Sequence, residues 1–358
     1  MSPRAVSRVF RPTLFGVGFV FLLAGALPAC QREPGKAIEE IQSVTIEGPT
    51  MGTRFTVKIE RARDEATIDA ASRRIPEVLG AIDSMMSTYK PDSELSRFNQ
   101  HQDTSSFPVS PEMIEVFQAA RVVSEASGGA FDITVGPIVN AWGFGPEQRS
   151  APPADSEINA LLPRVGYLMV EIDAASSSLR KARPDIYCDL SGIAQGYAAD
   201  RVAKMLDELG VADYMIDVSG EFRTRGRNDR GDSWQIAVER PDAPERTAHL
   251  VVPLSDKSLA TSGDYRNYRE RDGKRVSHEI DPKTGQPIAH GLASVTVVTD
   301  NCALADAYAT ALIVMGPEKG FALASEKGMA VFFLVRNADG GFDERRTPQF
   351  DALVNVVQ

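Results

Sequence analysis

Between residues 213 and 300 the chain passes through "DYMIDVSGEFRTRG", "SWQIAVERP", "HLVVPL" and "SVTVVTD", strand-like stretches with no helix-period segment between them. This constrains the fold more than any other feature. A parallel neighbour needs a crossover of a dozen or more residues, usually helical, so strands in direct succession pair antiparallel. The flanks agree. "SVTIEGPTMGTRFTVKIE" alternates around a Pro/Gly-containing turn and predicts a hairpin, and "MAVFFLV" predicts a late strand. Ile68, Ala71, Ile75, Val78, Leu79, Ile82 and Met86 fall on one helical face. "SPEMIEVFQAARVVSEASGG" has Ser110 as cap, Pro111 in the first turn and Gly128 as stop. "NCALADAYATALIVMG" predicts a buried helix ending at Gly316, and "DIYCDL" predicts a short strand. Helices and strands come in runs rather than in βαβ alternation. The expected fold is α+β: one large domain over residues 43–358, with largely antiparallel sheet and packed helices.

The N-terminus is of another kind. Arg4, Arg8 and Arg11 precede the apolar run "LFGVGFVFLLAGAL", and "LPAC" follows. That is the order of an export signal, with an apolar run too short for a membrane span. "LPAC" resembles the lipobox of bacterial lipoproteins, although Pro28 departs from the usual small or aliphatic residue. The expectation is a signal over residues 1–29, lipidation on Cys30, a tether over residues 30–42 and a lipid-anchored protein facing the periplasm. The alternative is a plain secretory signal cut after Ala29. Without residues 1–29 the chain keeps 36 basic and 49 acidic side chains, a formal charge of −13. So acidic a surface argues against nucleic acid as a partner. Any anionic substrate must then be received locally, by a helix N-terminus, a few basic groups or a cation.

Beyond Cys30 there remain Cys188 and Cys302, with no CxxC or Cys/His cluster, so zinc is not expected. Two buried free thiols are the simplest reading, and a disulfide stays open.

"DLSGIAQGYAADRV" places Asp189 before Ser191 and Gly192 and a helical pattern. An acid there can cap a helix or hold a nucleotide or metal. "ADAYATALIVMG" puts Asp306 and Thr310 one turn apart on one helix face. Two oxygen side chains on an apolar helix are costly to bury unless something satisfies them. Either Thr310 bonds back to a carbonyl and Asp306 meets solvent, or the pair holds a hard cation, for which Mg²⁺ is the natural choice. "VSHEIDPKTGQP" sets His278 near Asp281, as a base and its helper or as an ordinary surface turn. "GGAFDITVGPIVNAWGFG" suits either a loop under a planar ligand or a core-lining loop.

In order and separation, "MGTRF", "STYKPDSELSRFN", "GGAFDITVGPIVNAWGFG", "DLSGIAQGYAAD", "HEIDPKTGQP" and "ADAYATAL" resemble the ApbE family of FAD:protein FMN transferases, over roughly Val44 to Phe350. The resemblance implies that Asp189 contacts FAD. It implies that the carbonyl of Gly192 and the side chains of Asp306 and Thr310 bind Mg²⁺. Met51, Tyr89, Ala130, Phe131, Asp132, Gln195, His278 and Ile280 match further FAD-contacting positions. Gln195 and Ser191 depart from the commoner Lys or Glu and Gly. The implied reaction is transfer of FMN from FAD to a Thr or Ser hydroxyl, releasing AMP, with His278, helped by Asp281, as the base. The implied acceptors are flavin-bearing subunits of membrane redox complexes of the Na⁺-translocating NADH:quinone reductase or Rnf type. A Mg²⁺-dependent FAD pyrophosphatase and a non-enzymatic FAD-binding lipoprotein stay open. Since Cys188 and Cys302 each lie four residues from an implied metal ligand, the same site draws them near each other.

Overall fold

Ile41–Thr50 (β1) and Thr53–Ala62 (β2) pair antiparallel as the expected hairpin. The turn is Met51–Gly52, with φ of 45° and 73°, the left-handed pair that matches the twist of the strands. Pro49 is therefore not in the turn but in β1, opposite Arg54. It is tolerated because β1 is an edge strand. The computed structural model describes residues 41–147, 149, 151–242, 247–265, 268–271 and 274–354. The expected signal, Cys30 and the expected tether as far as residue 40 lie outside them.

Six further strands extend the hairpin: Asp213–Val218 (β3), Glu221–Arg225 (β4), Ser258–Gly263 (β5), Leu292–Thr299 (β6), Ala330–Arg336 (β7) and Phe342–Arg346 (β8). They form one eight-stranded sheet in that order, antiparallel at every step. The α+β expectation therefore holds. Alternation along the strands shows why the late runs are continuously apolar. On β7, Val331 and Phe333 join one core and Phe332 and Leu334 the other. On β6, Val295 and Val297 face the first and Val298 the second. Both faces are covered, so both are largely apolar.

One face carries the helices Glu65–Met86 (α1), Pro111–Ala126 (α2), Ala194–Glu208 (α3) and Cys302–Glu326 (α4). Ser110 caps α2 by accepting the N–H of Met113 at 3.2 Å. The other face is closed by the hairpin Trp234–Glu239 and Ala248–Leu254 and by the helix Pro348–Val354. Helix α4 breaks at Gly316, where the sequence placed its end: that residue takes φ 79° and ψ 177°, and Pro317 opens a second helical segment. One expectation is corrected here. "DIYCDL" joins no strand ladder. Its backbone is paired by a side chain instead, for Asn99 donates Nδ2 to the Cys188 carbonyl at 2.8 Å and accepts the Cys188 N–H at 2.7 Å.

Candidate active site

Helices α3 and α4 start side by side, and each closes the other's orphan N–H groups. The Asp200 carboxylate on α3 accepts the N–H of Cys302 at 3.0 Å and of Ala303 at 2.9 Å. The Asp306 carboxylate on α4 accepts the N–H of Gly196 at 3.0 Å. Carboxylates at helix N-termini satisfy donors and complement the dipole. The approach is close enough to demand a glycine: a Cβ on Gly196 would lie 2.3 Å from the Cys302 carbonyl oxygen.

The turn before α3 brings in the next group. The N–H of Asp189 donates to the Ile133 carbonyl at 2.7 Å, and one Asp189 carboxylate oxygen accepts the Ser191 N–H at 2.8 Å. Asp189 therefore builds the turn rather than capping α3, whose cap residue, Ile193, makes no side-chain bond. The turn delivers Gly192 against α4. A Cβ there would be 3.3 Å from Thr310 Oγ1 and 3.2 Å from the Phe131 ring. Thr310 Oγ1 also lies 3.2 Å from Ser262 Oγ, near the end of β5. Gly192, Asp306, Thr310 and Phe131 are thus brought together, and Gln195 stands half-buried in the first turn of α3.

Asp306 is 6% exposed, and burial, opposed by the Gly196 hydrogen bond and reinforced by the charge of Glu279, pushes its carboxyl up to about 7. Glu279 is itself buried, and its carboxyl is raised first by that burial and then by Asp264, against the pull of His278. Glu279 lies 3.5 Å from His278 Nε2. His278 Nδ1 is buried without a partner among the described residues, and its ring meets Phe144 edge-on at 6.2 Å. Phe144 in turn offers its carbonyl to the Tyr89 hydroxyl at 3.5 Å. The charge of Asp189 acts, after burial, on the phenols of both Tyr89 and Tyr187. Contacts therefore lead from Tyr89 through Phe144 and His278 to Glu279, with the charge of Asp189 acting on Tyr89 and that of Glu279 on Asp306.

Other expected positions are placed differently. Asp281 helps build the turn that follows: one carboxylate oxygen accepts the Lys283 N–H at 2.9 Å and its carbonyl the Gly285 N–H at 2.8 Å, inside "DPKTG". The acid beside His278 is Glu279. Asp132 is buried and spends its oxygens on Thr134 N–H, Thr134 Oγ1 and Tyr167 N–H, at 2.8, 2.6 and 2.8 Å. It shapes the loop that carries Ala130 and Phe131. Ile280 is buried in a small core with Ile138, Trp142 and Ile158. Met51 lies at the sheet end where β3 turns into β4. Cys188 and Cys302 are buried, free and part of one core, but they answer to different charges, Lys181 for Cys188 and Asp200 for Cys302. No bridge joins them. Sequence reasoning missed Glu279, Asn99 and Ser262. Glu279 was legible as the acid adjoining His278, whereas the other two depend on contacts across the fold.

The oxygen set suits a hard divalent cation. Asp306 is buried with one hydrogen bond, Thr310 offers a hydroxyl, and Gly192 brings backbone close without a side chain in the way.

A family model described as "ApbE family" matches residues 51–333. The FAD:protein FMN transferase of Vibrio cholerae serotype O1 is 42% identical over 346 residues, 96% of this chain and 99% of its own length. That of Escherichia coli K12 is 39% identical over 341 residues, 94% of this chain and 97% of its own. Among solved structures, the flavin transferase ApbE from Vibrio cholerae superposes with a TM-score of 0.80 at 40% identity, covering 87% of this chain and 99% of that one. The apo form of the Pseudomonas stutzeri flavinyl transferase ApbE gives 0.80 at 41%, covering 87% and 97%.

Proposed function

The chain belongs to the ApbE family, and on that premise we propose that it moves FMN from FAD to a Thr or Ser hydroxyl of a flavoprotein subunit, using Mg²⁺ and releasing AMP. That it is an enzyme, an FAD:protein FMN transferase, follows from whole-length identity to relatives of that activity. The observation that carries the finer reading is the convergence of Gly192, Asp306 and Thr310 beside the Asp189 turn.

The residues take these roles in our reading. Asp189, Tyr89, Met51 and the loop of Ala130, Phe131 and Asp132 hold the nucleotide, with Gln195 and Ile280 beside it. The Gly192 carbonyl, Asp306 and Thr310 hold Mg²⁺, which when bound neutralises pyrophosphate oxygens and the charge growing on AMP. The acceptor hydroxyl attacks the flavin-side phosphorus and gives its proton to His278. A bond forms from that oxygen to phosphorus, the bond from phosphorus to the AMP phosphate breaks, and AMP departs. Glu279, 3.5 Å from His278 Nε2, favours the imidazolium that results. Asp281 enters as the residue that fixes the following turn. We further propose that Cys30 carries lipid and holds the domain at a bacterial membrane, facing the periplasm. Its acceptors there are subunits of the Na⁺-translocating NADH:quinone reductase or Rnf type.

Incubation with FAD, Mg²⁺ and a candidate acceptor domain, followed by intact mass of both proteins, tests the reading. Transfer yields AMP in step with FMN on the acceptor. Free FMN and AMP without an acceptor would make the chain a pyrophosphatase, and unchanged FAD would make it a binder.

A further inference from the structure

One buried carboxylate beside the site is used by nothing described so far. Glu221 opens β4, is 7% exposed, and its Oε2 has no hydrogen-bond partner among the described residues. Strand β4 packs against the start of α4, where the Cys302 thiol donates to the Phe222 carbonyl at 3.4 Å. Asp306 lies one turn further along that helix. After burial, the charges that most disturb Glu221 are those of Asp306 and Asp217, both negative. Asp217 is engaged with the Gly220 N–H at 2.8 Å. Arg223, two residues on, is turned to Ser258 Oγ and the Asp300 carbonyl. Carboxylates gathered in a dry place are unfavourable unless a counter-charge enters. Divalent hard cations bind such oxygens.

We propose that Glu221 is a further carboxylate ligand of the cation site formed by Gly192, Asp306 and Thr310, offering the ion its free Oε2. The inference rests on the Mg²⁺ reading of that site and extends it. Two carboxylates then match the charge of a divalent ion, while the hydroxyl and carbonyl complete the protein's share and leave room for phosphate oxygens. Placing the second carboxylate on the sheet rather than on α4 also ties the sheet end that carries Met51 to the paired helix starts.

The test is titration of the full chain with Mn²⁺ by calorimetry, alone and with AMP present, in the wild type, Glu221→Gln and Asp306→Asn, together with melting in EDTA and in Mn²⁺. Glu221→Gln is expected to melt no lower than the wild type in EDTA, because a repulsive charge is gone. It should lose about ten- to a hundredfold in Mn²⁺ affinity, the range seen when partners of a metal site are removed. Glu221→Asp, which keeps a shortened carboxylate, should fall between and serves if the Gln variant misfolds. Folded variants at Glu221 that bind Mn²⁺ as the wild type does, while Asp306→Asn does not, overturn the inference and leave the cation site standing. A wild type that takes up no Mn²⁺ under either condition overturns both.

Discussion

Asp306 occupies a position unkind to a carboxylate, buried with one hydrogen bond and under the charge of Glu279. If its purpose is a cation, Asp306→Ala loses nearly all transfer at ordinary Mg²⁺ and regains part of it at high Mg²⁺ or with Mn²⁺. Asp306→Asn, which keeps the shape and one oxygen, falls between. If the residue served only the Gly196 N–H, the variants would shift melting and leave turnover per folded molecule intact, so both are measured on one preparation. His278 makes a separate demand. As a positioned base it is worth about 10²–10⁴ in rate, so His278→Ala should slow transfer far more than it weakens FAD binding in a fluorescence titration. Unchanged turnover with weakened binding would reduce it to a binding group. The helix spacing of Asp306 and Thr310 was legible in the sequence, as was His278 beside an acid. The sequence pointed to Asp281 as its helper, whereas Glu279 lies 3.5 Å from His278 Nε2 and an Asp281 carboxylate oxygen is engaged in the "DPKTG" turn. Glu221 was illegible for a different reason: lacking a partner is a property of the folded surroundings.

At the scale of elements, the site depends on two helix starts held together by crossed carboxylates. Asp200→Ala strips the Cys302 and Ala303 N–H groups of their acceptor and should cost about 1–3 kcal/mol, the usual penalty for buried groups left unsatisfied. Urea denaturation reads this directly, and an unchanged midpoint would mean that water replaces the carboxylate freely. The break in α4 has its own signature. His290 packs its ring against Gly316, where a Cβ would come within 2.8 Å, and burial holds its pKa below the ordinary 6.5. A histidine depressed in the folded state stabilises above its unfolded pKa, and that contribution drains away as pH falls through about 6.5 toward the folded value. Replacing His290 by Gln should flatten the stability slope below that pH in chemical denaturation at stepped pH, and an unaltered slope would place its cause elsewhere. Strands buried on both faces, such as β7, were plain in the sequence. Strand β5 was not, because "SLATSG" is small and polar enough to pass for a loop. "DIYCDL" was misread since its apolar run pairs with the Asn99 amide rather than with a neighbouring strand.

At the scale of the whole molecule, the question is what residues 1–42 contribute. Among the described residues the first buried side chain is Val44, and the sheet is entered through edge strand β1. An edge strand can lose its first residues without opening the core behind it. On the proposed lipid anchoring, the segment before it would act on where the enzyme works rather than on whether it folds. A lipid on Cys30 would keep an acidic domain beside acceptors in the same membrane and turn a bimolecular encounter into one governed by tether length. Two consequences can be measured on one pair of proteins, the full-length chain expressed in a bacterial host and a soluble form beginning at Ser43. The full-length chain, extracted from membranes, should show a lipid-modified Cys30 by mass spectrometry. The soluble form should melt at the same temperature and flavinylate a detached acceptor domain at the same rate, yet fall well behind on acceptors left in membrane vesicles. A soluble form equally fast on vesicles would deny the tether any role in catalysis, and one that unfolds would show that residues 41 and 42 matter to the sheet.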